Sequence, residues 1–98
     1  MNNIIAKVKE VRELISDPNH WCQDSHYLNE KGEACDMANA VSFCLVGAIS
    51  KVGDTNGHVY NALKSKLARD LSPFNDSHSH QEVLAFLDSV IDEADQHP

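Results

Sequence analysis

Two short segments bring chemically active side chains together: His20-Trp21-Cys22 and His78-Ser79-His80, with His26 and Cys35 close to the first in sequence. Imidazole and thiolate are zinc ligands, and a zinc site takes three or four of them at about 2.0–2.3 Å. Neither segment has the C-x₂-C or H-x₃-H spacing of zinc modules. His20, Cys22, His78 and His80 are therefore only weak metal candidates, and no metal or other cofactor is expected.

The same thiols could serve as nucleophiles. Cys22, next to Trp21 and two residues from His20, is the best placed of the three cysteines. It would need His20, His26, His78 or His80 as a base within hydrogen-bond reach. Cys35 precedes an expected helix whose dipole favours a thiolate, but Asp36 beside it opposes that. Cys44 falls on an apolar helical stripe, where a free cysteine behaves as a small buried hydrophobe. The sequence has no glycine-rich phosphate loop and no GxSxG elbow. No catalytic residue is assigned.

Charge carries more information. Residues 1–69 hold eight basic and eight acidic side chains and sum to zero. Residues 70–98 hold Asp70, Asp76, Glu82, Asp88, Asp92, Glu93 and Asp95 and no Lys or Arg, so the whole net charge of −7 lies there. Phosphate backbones need clustered cations, which argues against direct nucleic-acid binding. A solvated helix face accounts for such a run, and so does a docking face for a basic protein. The acidic face would be Glu82, Asp88, Asp92, Glu93 and Asp95. Asp92, Glu93 and Asp95 fall in a last helical turn, where the dipole is already negative. Lys7, Lys9 or Arg12 on the first helix, or Lys64 and Lys66 on the third, could relieve them, and so could a basic partner.

The elements that must position these groups read as an all-α, small four-helix bundle with one irregular loop over about 17–35, forming a single domain over 1–98. Apolar residues spaced three and four apart predict a first helix over 3–16, ended by Ser16-Asp17 before Pro18. Pro18 can start a short turn, and Tyr27 and Leu28 a short extended piece before a turn at 29–32. Asp36 is expected to cap a second, central helix over 37–52 that stops at Gly53. A third helix is expected over 57–70, capped by Thr55 or Asn56, with a break over 71–77. Ser79, three residues before Glu82, has the capping-box spacing for a fourth helix. Trp21 and Tyr27 are the expected anchors of the irregular loop. No segment is apolar and long enough to cross a bilayer. The N-terminus lacks a signal-peptide stretch, and three cysteines are an odd number, so the expected setting is the reducing cytoplasm.

Trp21, Tyr27, Gly32, Ala40, the run Cys44-Leu45-Val46-Gly47-Ala48-Ile49, Phe74-Asn75-Asp76 and Glu82-Val83-Leu84-Ala85-Phe86-Leu87-Asp88 together resemble a family of small bacterial and phage proteins. The pattern there is W…ARD..G…A..WC..GAL…FND…T..EVLALLD, and the resemblance covers about residues 18–94. It implies that Cys44, Gly47, Ala48 and Asn75-Asp76 are structural fixtures, with Cys44 and Gly47 at a close helix–helix contact and Asn75-Asp76 tying their turn. Ser25-His26-Tyr27-Leu28-Asn29 replaces the ARD stretch, which removes any site built on that Arg and Asp. The family brings no reaction.

The function expected from these readings is binding of a protein with a basic surface, through the acidic face and aromatic anchors at Trp21 and Tyr27. An inhibitor of a host nucleic-acid-handling defence system, carried by a phage or mobile element, fits the size and charge. One alternative is a small enzyme or metal domain using the Cys and His residues of the 20–35 loop. Another is a structural homodimer sharing an apolar helix face.

Overall fold

The first helix begins the core because its apolar residues recur on one side. The computed structural model describes residues 2–54 and 56–96, with side chains described for 4–54 and 56–95. Helix α1 spans Asn2–Leu14. It buries Val8 and Val11, and Ile15 just beyond it, completely. Asp17 then caps a 3₁₀ turn, Pro18–His20, by accepting from the Asn19 N–H. The helix and the turn match the periodicity and the proline signal.

The next segment departs from the expected bundle. Strand β1, Tyr27–Leu28, pairs antiparallel with β2, Ser42–Phe43, in the register Tyr27↔Phe43 and Leu28↔Ser42. Two isolated bridges extend this small sheet, Trp21↔Phe43 on one side and Leu28↔Ala34 on the other. The expected central helix over 37–52 is therefore three pieces. Asp36 does cap a turn, but only the 3₁₀ turn Met37–Asn39. The chain then runs extended through Ala40, and helix α2 occupies only Leu45–Lys51. The reason is long-range pairing. The Val41 N–H bonds the Leu28 carbonyl and the Cys44 N–H bonds the His26 carbonyl, and Val41 and Phe43 suit a pleated surface better than a helix.

Helix α3 covers His58–Leu67. Thr55, one of its two expected caps, lies outside the described residues, and Asn56 does not cap it. Gly57 holds the cap position in the left-handed region with no side-chain bond. The carboxylate of Asp54 reaches in instead and accepts from the N–H groups of Val59 and Tyr60 at 3.1 and 3.0 Å.

The expected break over 71–77 is a helix, α4, Leu71–Ser77. Pro73 lies in its first turn, where a missing N–H removes no bond. Leu71, Phe74 and Asn75 form its buried face at i, i+3 and i+4. Helix α5, His80–Gln96, opens as predicted: the Ser79 hydroxyl accepts from the Glu82 N–H and the Glu82 carboxylate accepts from the Ser79 N–H. It runs antiparallel to α1, with Ile15 facing His80 and Arg12 facing Asp88. Val83, Leu87 and Val90 pack with Val8, Val11, Leu45, Ile49, Val59 and Leu63 in one core. The domain is mostly helical, with five helices among the described residues plus a two-stranded sheet, rather than a four-helix bundle. No helix among those residues is long and apolar enough to cross a membrane.

Candidate functional site

Asn75 is the meeting point of the irregular segment, α2 and α4. Its side chain is fully buried. Its Oδ1 accepts from the Trp21 indole N–H at 2.7 Å and from the Leu45 backbone N–H at 3.1 Å. Its Nδ2 donates to the Cys22 carbonyl and to Asp76 Oδ1, both at 3.0 Å. A primary amide has two acceptor lone pairs and two donor hydrogens, so all four are used. Asp76 Oδ1 also accepts from the Asp24 N–H, and Gln23 Nε2 donates to the Asn75 and His78 carbonyls. The pair Asn75-Asp76 thus does not tie its own turn, as the resemblance implied. It ties residues 21–24 and the start of α2, which lie 30 to 54 positions away.

Cys44 and Gly47 have different neighbours from those implied. Cys44 is the N-cap of α2 rather than a mid-helix residue, and its Sγ accepts from the Gly47 N–H at 3.3 Å. Gly47 faces backbone of the irregular segment, not another helix: a methyl group there would overlap the His26 carbonyl oxygen. The absence of a side chain lets that carbonyl approach and bond the Cys44 N–H.

Two of the three thiols, Cys22 and Cys44, are buried beside this junction, while Cys35 lies partly exposed on the sheet edge next to Ala34. The Cys22 thiol donates to the Ser25 carbonyl at 3.3 Å. Burial, reinforced by Cys44 and Asp76, pushes it up to about 12. Burial also raises Cys44, against a lowering by the Gly47 N–H, and desolvation with Asp36 raises Cys35. A raised thiol is a poor nucleophile at neutral pH.

Each candidate histidine of the second segment commits a ring nitrogen to a helix end. His80 Nε2 donates to the Ile15 carbonyl at 2.6 Å while its ring packs 5.3 Å from Trp21. His78 Nδ1 lies 2.9 Å from the Phe74 carbonyl. His20 is exposed at the end of its 3₁₀ turn. Among the described residues, no three His, Cys, Asp or Glu side chains converge on a point that could hold a metal ion.

Trp21 and Tyr27 are both half-buried and pack against the core. Trp21 gives its N–H to Asn75, and the Tyr27 ring meets Phe43 edge-on at 6.0 Å. They hold the irregular segment down.

The acidic residues of the C-terminal third fall into two groups. Asp70 pairs with Lys64 at 3.1 Å and Asp76 belongs to the junction. Asp88 accepts from Arg12 Nε at 2.8 Å, and Glu93 pairs with Lys66. Glu82 is held below its ordinary value of 4.5, first by the Ser79 N–H and then by the Ser79 hydroxyl. Asp92 and Asp95 are exposed on the last turns of α5, and among the described residues neither has an ion-pair partner. Spacing alone could not sort these groups, because the cations that neutralise Asp88 and Glu93 come from α1 and α3.

Residues 2–93 match a family of unknown function, DUF6197, and the chain belongs to that family. No curated protein and no solved structure matches it.

Proposed function

We propose that this member of DUF6197 works by binding another protein, one that presents a basic surface, and that the contact centres on the C-terminal turns of α5. The observation that carries the reading is the isolation of Asp92 and Asp95. They are exposed and, among the described residues, uncompensated where the helix dipole already disfavours negative charge, while the other five carboxylates of residues 70–98 are held internally. A cationic partner would relieve both. Support also comes from the junction, where the residues with catalytic character spend their hydrogen bonds on holding the chain together. Basic grooves are the mark of proteins that handle nucleic acid, and an acidic surface can occupy such a groove by speeding encounter and setting register. In this reading the protein is an inhibitor of a host nucleic-acid-handling defence system, encoded by a phage or mobile element and acting in the cytoplasm. Trp21 lies beside His80, about 22 Å along α5 from Asp95 at 1.5 Å per residue. A contact that also used the outer edge of Trp21 would run the length of the helix.

The test immobilises the full chain and its Asp92→Lys/Asp95→Lys double variant, passes host lysate over both, and washes at low and then high salt. The expected result is a stoichiometric basic protein held by the wild type, released by salt and lost by the variant. An empty bait, or the same retained proteins on both chains, overturns the reading.

A further inference from the structure

The outer edge of the small sheet carries features that the fold does not use. Around the Leu28↔Ala34 bridge, the Asn29 N–H bonds the Glu33 carbonyl and the Cys35 N–H bonds the Tyr27 carbonyl. In an antiparallel ladder these groups alternate in direction, so Ala34 between them points its N–H and C=O outward. Neither has a partner among the described residues. The edge is ordered rather than loose: the Asn29 side chain accepts from the N–H groups of Lys31 and Glu33 at 2.9 and 3.1 Å.

Met37, three residues on, and Val41 are the exposed large apolar side chains of the described residues, at 39% and 38%. Glu30 and Glu33 flank the edge and have no ion-pair partner among the described residues, and Asp36 stands between Ala34 and Met37. Lys31 is the one cation of the segment 29–41. Carboxylates on a sheet edge repel the same edge of a second copy and attract a cationic strand.

We propose that residues 33–37 are a docking edge for an extended, basic segment of a partner protein, which adds to the sheet beside Ala34 and lays an apolar side chain against Met37. The incoming strand exchanges one N–H and one C=O with Ala34, its Lys or Arg side chains meet Glu30 and Glu33, and Met37 supplies an adaptable apolar contact. This rests on the reading that the protein works by binding another protein, and it places the contact on a surface separate from α5.

A random peptide library panned on the full chain tests the edge. The expected outcome is enrichment of peptides that combine an apolar residue with flanking Lys or Arg. Their affinity should weaken about tenfold on Met37→Ser and on Ala34→Pro, and stay unchanged on Asp92→Lys/Asp95→Lys. Ala34→Pro deletes an N–H that makes no internal bond, and Met37→Ser removes only an exposed side chain. No enrichment, or enriched peptides indifferent to both substitutions, overturns the edge. A lysate partner that needs Asp92 and Asp95 but ignores Met37→Ser and Ala34→Pro also overturns it and leaves the α5 reading standing. Peptides that bind the edge while lysate yields no salt-released protein overturn the α5 reading alone.

Discussion

At the junction around Asn75, four hydrogen bonds converge on one buried amide and use every donor and acceptor it has. On the last turns of α5, fifteen or more residues further on, Asp92 and Asp95 stand in water without an internal partner among the described residues. Both regions are rich in polar side chains, yet the desolvation penalty separates them. A buried amide left unbonded costs roughly 1–3 kcal/mol per orphaned group, so the junction must be complete to exist. An exposed carboxylate keeps its hydration, so lacking a partner costs it only the dipole term of about 0.3–1 kcal/mol, and it stays available. The side chains with the most chemical character (the Cys22 and Cys44 thiols, the indole, His80) belong to the first region.

The largest test of that contrast is Asn75→Ala. It orphans the Trp21 and Leu45 N–H groups and the Cys22 carbonyl, and should cost about 4 kcal/mol in chemical denaturation. A loss under about 1 kcal/mol would break the comparison, because the junction would then be tolerant.

Gly47→Ala comes next. In an ordinary helix this change stabilises by about 1 kcal/mol. Here the methyl group collides with the His26 carbonyl, so a destabilisation of about 2–3 kcal/mol is expected, the usual cost of overpacking. A gain in melting temperature would mean that β1 yields easily.

Arg12→Ala should cost about 0.5–1 kcal/mol, since its pair with Asp88 is part-exposed, and the loss should shrink at high salt. Asp92→Asn/Asp95→Asn should leave stability within about 0.5 kcal/mol of wild type while weakening partner capture.

Two further measurements sharpen the contrast without a large change in stability. Iodoacetamide followed by mass spectrometry should modify Cys35 first, and Cys22 and Cys44 only once the chain unfolds, because burial holds both of those thiols protonated. Rapid labelling of Cys22 in the native protein would restore the nucleophile reading. Glu82 is held lower in the folded chain than its ordinary 4.5. Its contribution is therefore complete above that pH and is lost as pH falls through the lower folded value. Glu82→Gln, which removes the titrating group and keeps an acceptor for the Ser79 N–H, should flatten that part of the acid-denaturation curve, and an unchanged curve would place the acid sensitivity elsewhere.

Much of the helical frame was legible in the sequence, because the signals for α1, α3 and α5 are local. Ile4, Val8, Val11 and Ile15 share a helix face by spacing alone, and Ser79 and Glu82 cap α5 across a single turn. Asp17 and Pro18 set their 3₁₀ turn in the same way. The concentration of acid in residues 70–98 was also plain. What the tertiary structure alone decided are the features whose partners are distant. Residues 40–44 carry a helical apolar pattern, but the Leu28 and His26 carbonyls draw them into extended pairing. Asn75 looks like a turn residue until the Trp21 indole and the Leu45 N–H converge on it. Asp88 and Glu93 look as free as Asp92 until α1 and α3 bring Arg12 and Lys66 beside them. Propensity and capping act within one or two turns, where sequence spacing equals spatial spacing. Pairing, burial and charge compensation act between residues that only the folded chain makes neighbours.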